Sequence, residues 1–167
     1  LAVNGKALAN NIIIHSLNRN NMKTLSVTLF CISAFFATGW QLDFNQAKQT
    51  AQTEHKYILV NFSGSDWCGP CIRLRKEIFE SETFKGFAND HLVLVNADFP
   101  RSKRNALSKD QQKKNDALAD EYNPTGIFPY TLLLNSDGKV VKSWEGYPGI
   151  TAEEFTKTIE SLTHAGN

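Results

Sequence analysis

Apolar positions along this chain fall into short runs and stripes whose spacing predicts alternating strands and helices. Tyr57-Ile58-Leu59-Val60-Asn61-Phe62 and Leu92-Val93-Leu94-Val95-Asn96-Ala97 are β-rich runs that read as buried strands. Tyr130-Thr131-Leu132-Leu133-Leu134-Asn135 and Val140-Val141-Lys142-Ser143-Trp144 flank Ser136-Asp137-Gly138-Lys139, which predicts a β-hairpin. Helical spacing fills the intervals. Asp43 is placed to cap a helix running to about Glu54, with Phe44, Ala47 and Ala51 inward. From Cys68 to about Phe79, Leu74 and Ile78 share one helix face, and Ser81-Glu82-Thr83-Phe84 restarts a short helix. From Phe99 to Asn123 the chain is polar, with a helix late in it that buries Leu118 and Tyr122. Thr151-Ala152-Glu153-Glu154 matches a capping box, and Phe155, Ile159 and Leu162 form the inner stripe of a last helix. After the first helix, the order is βαβ, a crossover helix, then ββα. No repeat or low-complexity tract interrupts it.

One stretch does not fit this alternation. Met22 is the only methionine, Lys23 follows it, and Leu25 to Phe36 is an uncharged, largely apolar run. Ala37-Thr38-Gly39 then supplies small residues at the −3 and −1 positions of a cleavage site. Charged start, short apolar region and small-x-small exit describe a secretory signal. The run is shorter than the roughly 20 residues that span a bilayer. A buried core helix is the bland alternative, but the run has no polar face to offer solvent. Residues 1–21 are then upstream leader, 22–39 the signal and 40–167 the folded domain. Cys31 follows the bulky Phe30, which does not suit a lipidation site. Cleavage after Gly39 leaves Cys68 and Cys71 as the only cysteines of the mature chain.

Composition suits an ordinary domain of this size: 167 residues, 41% hydrophobic, with 18 basic against 17 acidic side chains. Near-neutral charge gives no reason to invoke nucleic acid or an anionic membrane. The basic run Arg101, Lys103, Arg104, Lys109, Lys113, Lys114 is an exception. Its bland reading is a solvated loop and helix face, answered locally by Asp110, Asp116, Asp120 and Glu121.

The candidate chemistry lies in Trp67-Cys68-Gly69-Pro70-Cys71. Two cysteines at this spacing can exchange a disulfide with another molecule: the first attacks, and the second resolves the mixed disulfide. If the pair opens a helix, the free N–H groups and the positive dipole end favour a thiolate at the first cysteine. A C-x-x-C is also half of a zinc site. The other half is missing here, because Cys31 is remote and His15, His55, His91 and His164 lack ligand spacing. A quiet structural disulfide remains the other alternative.

A strand, a Ser63-Gly64-Ser65-Asp66 turn, then WCGPC opening a helix resembles the thioredoxin superfamily, and the likeness covers nearly all of residues 40–163. Phe62 to Cys68, Asn96 to Pro100, Asn115 to Ala119, Gly126 to Pro129 and the Asp137-Gly138-Lys139 turn are similar to exported thioredoxin-like proteins of Bacteroidetes-type bacteria. The resemblance implies an α/β thioredoxin fold, βαβ plus ββα around a central mixed sheet. An extra N-terminal helix and a lengthened connection after the second core strand are added to it. It implies Cys68 as a partly exposed nucleophile and Cys71 as a more buried resolving thiol. Pro129 is implied as a cis-proline docking platform. Trp67, Gly69, Pro70, Phe128 and Gly146 are the substrate-side surroundings.

Two departures from the family pattern stand out. The strand position of the family's buried aspartate is Asn61, which cannot take a proton; Asp66 is the candidate acceptor instead, and more distantly Glu77. Gly126-Ile127-Phe128-Pro129 also carries one residue more than usual between glycine and proline. The expectation is an exported thiol–disulfide oxidoreductase acting on protein or peptide disulfides. It is expected to be a monomer of the bacterial periplasm, without stable membrane insertion once the signal is cleaved. Reduction or isomerisation, with a membrane thiol carrier as electron donor, is favoured over net oxidation. No cofactor or metal is called for, since the dithiol carries two electrons. The rival is a non-catalytic scaffold that holds an exported partner, to which Phe128, Tyr130 and Tyr147 would contribute apolar surface.

Overall fold

A computed structural model of the chain describes residues 39–164. The leader and signal readings fall, Gly39 apart, outside the described residues. Helix α1 spans Phe44–Glu54, strand β1 Tyr57–Ser63, and helix α2 Gly69–Leu74, which runs on as a π-helical turn through Arg75–Phe79. Helix α3 (Glu82–His91) leads directly into β2 (Leu92–Asp98). A 3₁₀ turn at Lys103–Asn105 precedes α4 (Lys109–Tyr122), followed by β3 (Tyr130–Leu134), β4 (Val140–Glu145) and α5 (Ala152–His164). Every element expected from the pattern is present. The π-helical turn is an addition: Glu80 N–H reaches the Arg75 carbonyl at 2.8 Å and widens the helix before α3.

The strands form one mixed sheet in the order β2-β1-β3-β4. β1 runs parallel to β2 and antiparallel to β3, and β3 pairs antiparallel with β4. Gln41 adds a parallel bridge to Val95 outside the edge of β2, a contact with no counterpart in the sequence pattern. Side chains alternate across the central strands and so supply two cores. Ile58, Val60, Phe62, Val93, Val95 and Ala97 pack with Ala47 and Ala51 of α1 and Leu118 of α4. Leu59, Leu92, Leu94 and Leu133 pack with Leu74, Ile78, Phe84, Phe155 and Ile159 on the other face. Each fully buried Leu, Ile or Phe stabilises this arrangement by about 1.5–3 kcal/mol.

The caps fall where the sequence places them. Asp43 Oδ1 accepts from the N–H groups of Asn45 and Gln46 at 2.9 and 3.1 Å. Thr151 and Glu154 form the reciprocal box, with Glu154 N–H on Thr151 Oγ1 and Thr151 N–H on Glu154 Oε2. Tyr122 is half-buried, its hydroxyl donating to the Gly138 carbonyl at 3.0 Å. That bond ties α4 to the β3–β4 turn.

Candidate active site

The polypeptide leaves the carboxyl end of β1, turns through Gly64–Trp67 and enters α2, so Cys68 is the N-cap. Pro70 sits in the first turn, where its missing N–H costs nothing and its fixed φ suits the helix. Cys68 and Cys71 are joined as a disulfide. The Cys71 backbone N–H donates to Cys68 Sγ at 3.3 Å. This is the capping geometry in which a helix start favours negative charge on sulfur. Gly69 and Pro70 are exposed above the pair. The expected contrast in exposure is absent in this disulfide state: Cys68 is 5% and Cys71 4% exposed.

Below Cys71 lies a cleft of about 190 Å³ lined by Trp40, Asn61, Ser63, Ser65, Cys71 and Asn96, among others. Its polarity follows from strand alternation. On the α2 side of β1, Leu59 is succeeded by Asn61 and Ser63; on β2, Leu94 is succeeded by Asn96 and Asp98. The parallel register sets Asn61 beside Asn96 and Ser63 beside Asp98. Asn61 Nδ2 donates to Asn96 Oδ1 at 3.2 Å, and Thr131 Oγ1 donates to Asn61 Oδ1 at 3.2 Å. Asp98 accepts from Ser63 Oγ at 3.1 Å, from Ser65 N–H at 2.8 Å, and from Ser65 Oγ. One carboxylate is thus joined, through two hydroxyls, to the cleft that Cys71 lines. The volume exceeds the roughly 30 Å³ that one liquid water occupies, and its walls offer polar partners.

Asp66 is elsewhere. Its two oxygens accept from the N–H groups of Arg101 and Ser102, both at 2.9 Å, and from Asn105 Nδ2 at 3.0 Å. The Arg101 N–H first, then that of Ser102, holds its carboxyl below the ordinary aspartate range. Asp66 therefore organises the connection after β2 and is no lining residue of the cleft. Glu77 is engaged as well: the Tyr147 hydroxyl and Arg73 Nε donate to it, and both keep its carboxyl below the usual range.

The rim is built on Trp67. Its Nε1–H donates to the Phe99 carbonyl at 2.7 Å, the Arg101 guanidinium lies 3.6 Å from the ring centroid, and Phe128 meets it edge-on at 5.5 Å. The Phe128–Pro129 peptide bond is cis, the only such bond among the described residues, and Pro129 is buried. Asn123, buried at the end of α4, clips the loop before it: its amide both donates to and accepts from the Ile127 backbone at 2.9 Å. Gly126 takes φ +67° inside that clip. Gly146, at φ +70°, donates its N–H to the Pro129 carbonyl at 2.8 Å, so the β3–β4 ladder extends to the proline. The structure therefore gathers Trp67, Phe128, Pro129 and Gly146 on one rim and excludes Asp66 from the cleft. Asp98, Ser63, Ser65 and Asn123 carry connections that sequence reasoning did not assign. The polar period-two tails of β1 and β2 were the signal for the first two.

Residues 44–163 match the family described as Thioredoxin-like domain. The chain is 34% identical over 123 residues to the disulfide bond reductase DsbH of Chlamydia pneumoniae, covering 74% of this chain and 72% of that protein. A solved DsbH oxidoreductase structure superposes with a TM-score of 0.68 at 31% identity, covering 75% of this chain and 84% of that one. The disulphide isomerase structure from Xylella fastidiosa Temecula1 gives 0.53 at 21% identity, over 70% and 87%, and speaks to the fold alone.

Proposed function

The chain belongs to the thioredoxin-like family and is a thiol–disulfide oxidoreductase, and we propose that it reduces or isomerises protein disulfides outside the cytoplasm. Cys68 is the nucleophile. Its thiolate attacks one sulfur of a substrate disulfide and expels the other as a thiolate, leaving a mixed disulfide. Cys71 then loses its proton and attacks Cys68 Sγ, expelling the second substrate thiolate. The substrate gains two electrons and Cys68–Cys71 becomes the disulfide. The observation that carries this reading is the Cys71 N–H bond to Cys68 Sγ at the start of α2, because it singles out one sulfur for anionic stabilisation.

The proton leaving Cys71 has a route. Water in the cleft hands it to the Ser63 or Ser65 hydroxyl, and that hydroxyl passes its own proton to Asp98. Asp98 thereby supplies, from β2, the acid–base function that Asn61 cannot perform on β1. Pro129, with Phe128 and Gly146 around it, is the platform for an extended substrate segment, and Trp67 limits its approach. No further group is needed, since the dithiol carries the electrons. A membrane thiol carrier would return the protein to its reduced form, which fits the export signal read in residues 22–39. The DsbH relative, being named a disulfide bond reductase, supports the reducing direction. Turbidity from insulin chains in the presence of dithiothreitol tests the activity. Acceleration by the intact protein and none by the Cys68→Ser variant is the expected result; equal traces would refute it.

A further inference from the structure

The connection from β2 into α4 forms a groove of about 440 Å³ on the outer surface. Ala106 and Leu107 give it an apolar lining, and Arg101, Lys103, Lys109 and Lys113 supply its charges. No carboxylate lines it, and none of these four cations has an ion-pair partner within 4.0 Å among the described residues. Two of the four acids that sequence proximity offers are engaged by other groups. Asp110 pairs with Lys114 at 3.3 Å, and Asp116 accepts from Gln112 Nε2 at 2.9 Å. Of the basic run, Lys114 is answered locally by Asp110, and the four groove cations have no ion pair within 4.0 Å among the described residues. The Asp66 carboxylate lies against the backbone of the groove residues Arg101 and Ser102, and it accepts from their N–H groups and from Asn105 Nδ2 without pairing with a cationic side chain.

The groove begins at the active-site rim. Arg101 is both a groove residue and the cation stacked on Trp67, the neighbour of Cys68. A row of cations without ion-pair partners beside apolar lining attracts an anionic partner from a distance and holds it by contact. We propose that this groove docks an acidic segment next to the substrate cysteine, so that the preferred substrates are disulfides in acidic sequence. The proposal rests on the thiol–disulfide exchange reading and adds a substrate class to it.

Two synthetic peptides test it, each with one disulfide, flanked by glutamates in one and by serines in the other. The wild-type protein, kept reduced with dithiothreitol, is expected to favour the acidic peptide in kcat/KM by about tenfold at low salt. The preference should vanish as ionic strength rises from about 0.01 M to about 1 M, where the screening length falls from about 30 Å to about 3 Å. Lys109→Glu with Lys113→Glu should reverse the preference, and the milder Lys109→Gln with Lys113→Gln should reduce it. Lys85→Gln with Lys157→Gln removes two charges from α3 and α5 and should leave it unchanged. Equal rates on both peptides at low salt, or the same loss in the α3/α5 variant, would overturn the proposal. So would capture of the protein by anionic vesicles with no peptide preference, which would assign the groove to a membrane. Failure to turn over either peptide would strike the exchange reading itself.

Discussion

The backbone N–H of Cys71 points at Cys68 Sγ across 3.3 Å, so the second cysteine of the pair helps to cap the first. The relation is not reciprocal. Cys71 lies inside the first turn, where its own sulfur has no such helix-start donor among the described hydrogen bonds. The reduced protein should therefore hold its negative charge on Cys68. Brief iodoacetamide treatment at neutral pH, read by peptide mass, should label Cys68 and spare Cys71. Equal labelling would contradict this assignment.

Asp98 offers a sharper test of proton transfer. Asp98→Asn keeps the shape and can still bond Ser63 and Ser65, but it cannot take a proton. Release of a chromogenic thiol from a mixed disulfide preformed on Cys68 should slow by on the order of 10²-fold near neutral pH. The deficit should shrink as pH rises, because solvent alone then ionises Cys71. Asp98→Glu should restore part of the rate. A uniform deficit at every pH would mark a structural effect, and no deficit would remove Asp98 from the pathway.

Asp66 should act on stability and its pH dependence. Its carboxyl is held below the ordinary value of 3.8, chiefly by the Arg101 N–H and then that of Ser102. A depressed folded-state value means stabilisation that is present above the ordinary value and lost as pH falls through the folded one. Asp66→Asn should therefore lower the denaturant midpoint at pH 7, and the gap should close in acid. A gap independent of pH would contradict this reading.

Gly64 is the residue on which the position of Trp67 depends. A Cβ there would lie 2.3 Å from Trp67 Cε2 and 2.5 Å from Nε1. The indole is not free to swing, being held by Phe99, Arg101 and Phe128. Gly64→Ala should displace it and break the Nε1–H bond to Phe99, a loss of about 1 kcal/mol or more. Tryptophan emission should shift, and peptide reduction should fall. An unchanged spectrum with full activity would show that the ring has room to move.

The fold was legible because its signals are local. Capping boxes, a hairpin turn and period-two or helical stripes each report on a few adjacent residues, and Asp43, Thr151 and the Asp137-Gly138 turn lie where they were read. The cysteine pair was legible for the same reason. The hydrogen-bonded surroundings were not. Asp66 lies next to Trp67 in sequence yet serves a loop 35 residues later, whereas Asp98 is tied to the cleft-lining Ser63 because parallel register sets the two side by side. Register between strands is a tertiary property, and neither run states it alone. The near-equal burial of Cys68 and Cys71 is likewise a tertiary property that the motif does not state.

The central claim is that Cys68 attacks and Cys71 resolves, and trapping the mixed disulfide tests it most directly. Reduced Cys71→Ser and Cys68→Ser variants are each exposed to a disulfide-bonded protein substrate, quenched in acid and separated without reductant. The account predicts a covalent complex with Cys71→Ser, released by dithiothreitol, and little or none with Cys68→Ser. Equal complexes from both variants, or a complex only with Cys68→Ser, would contradict it.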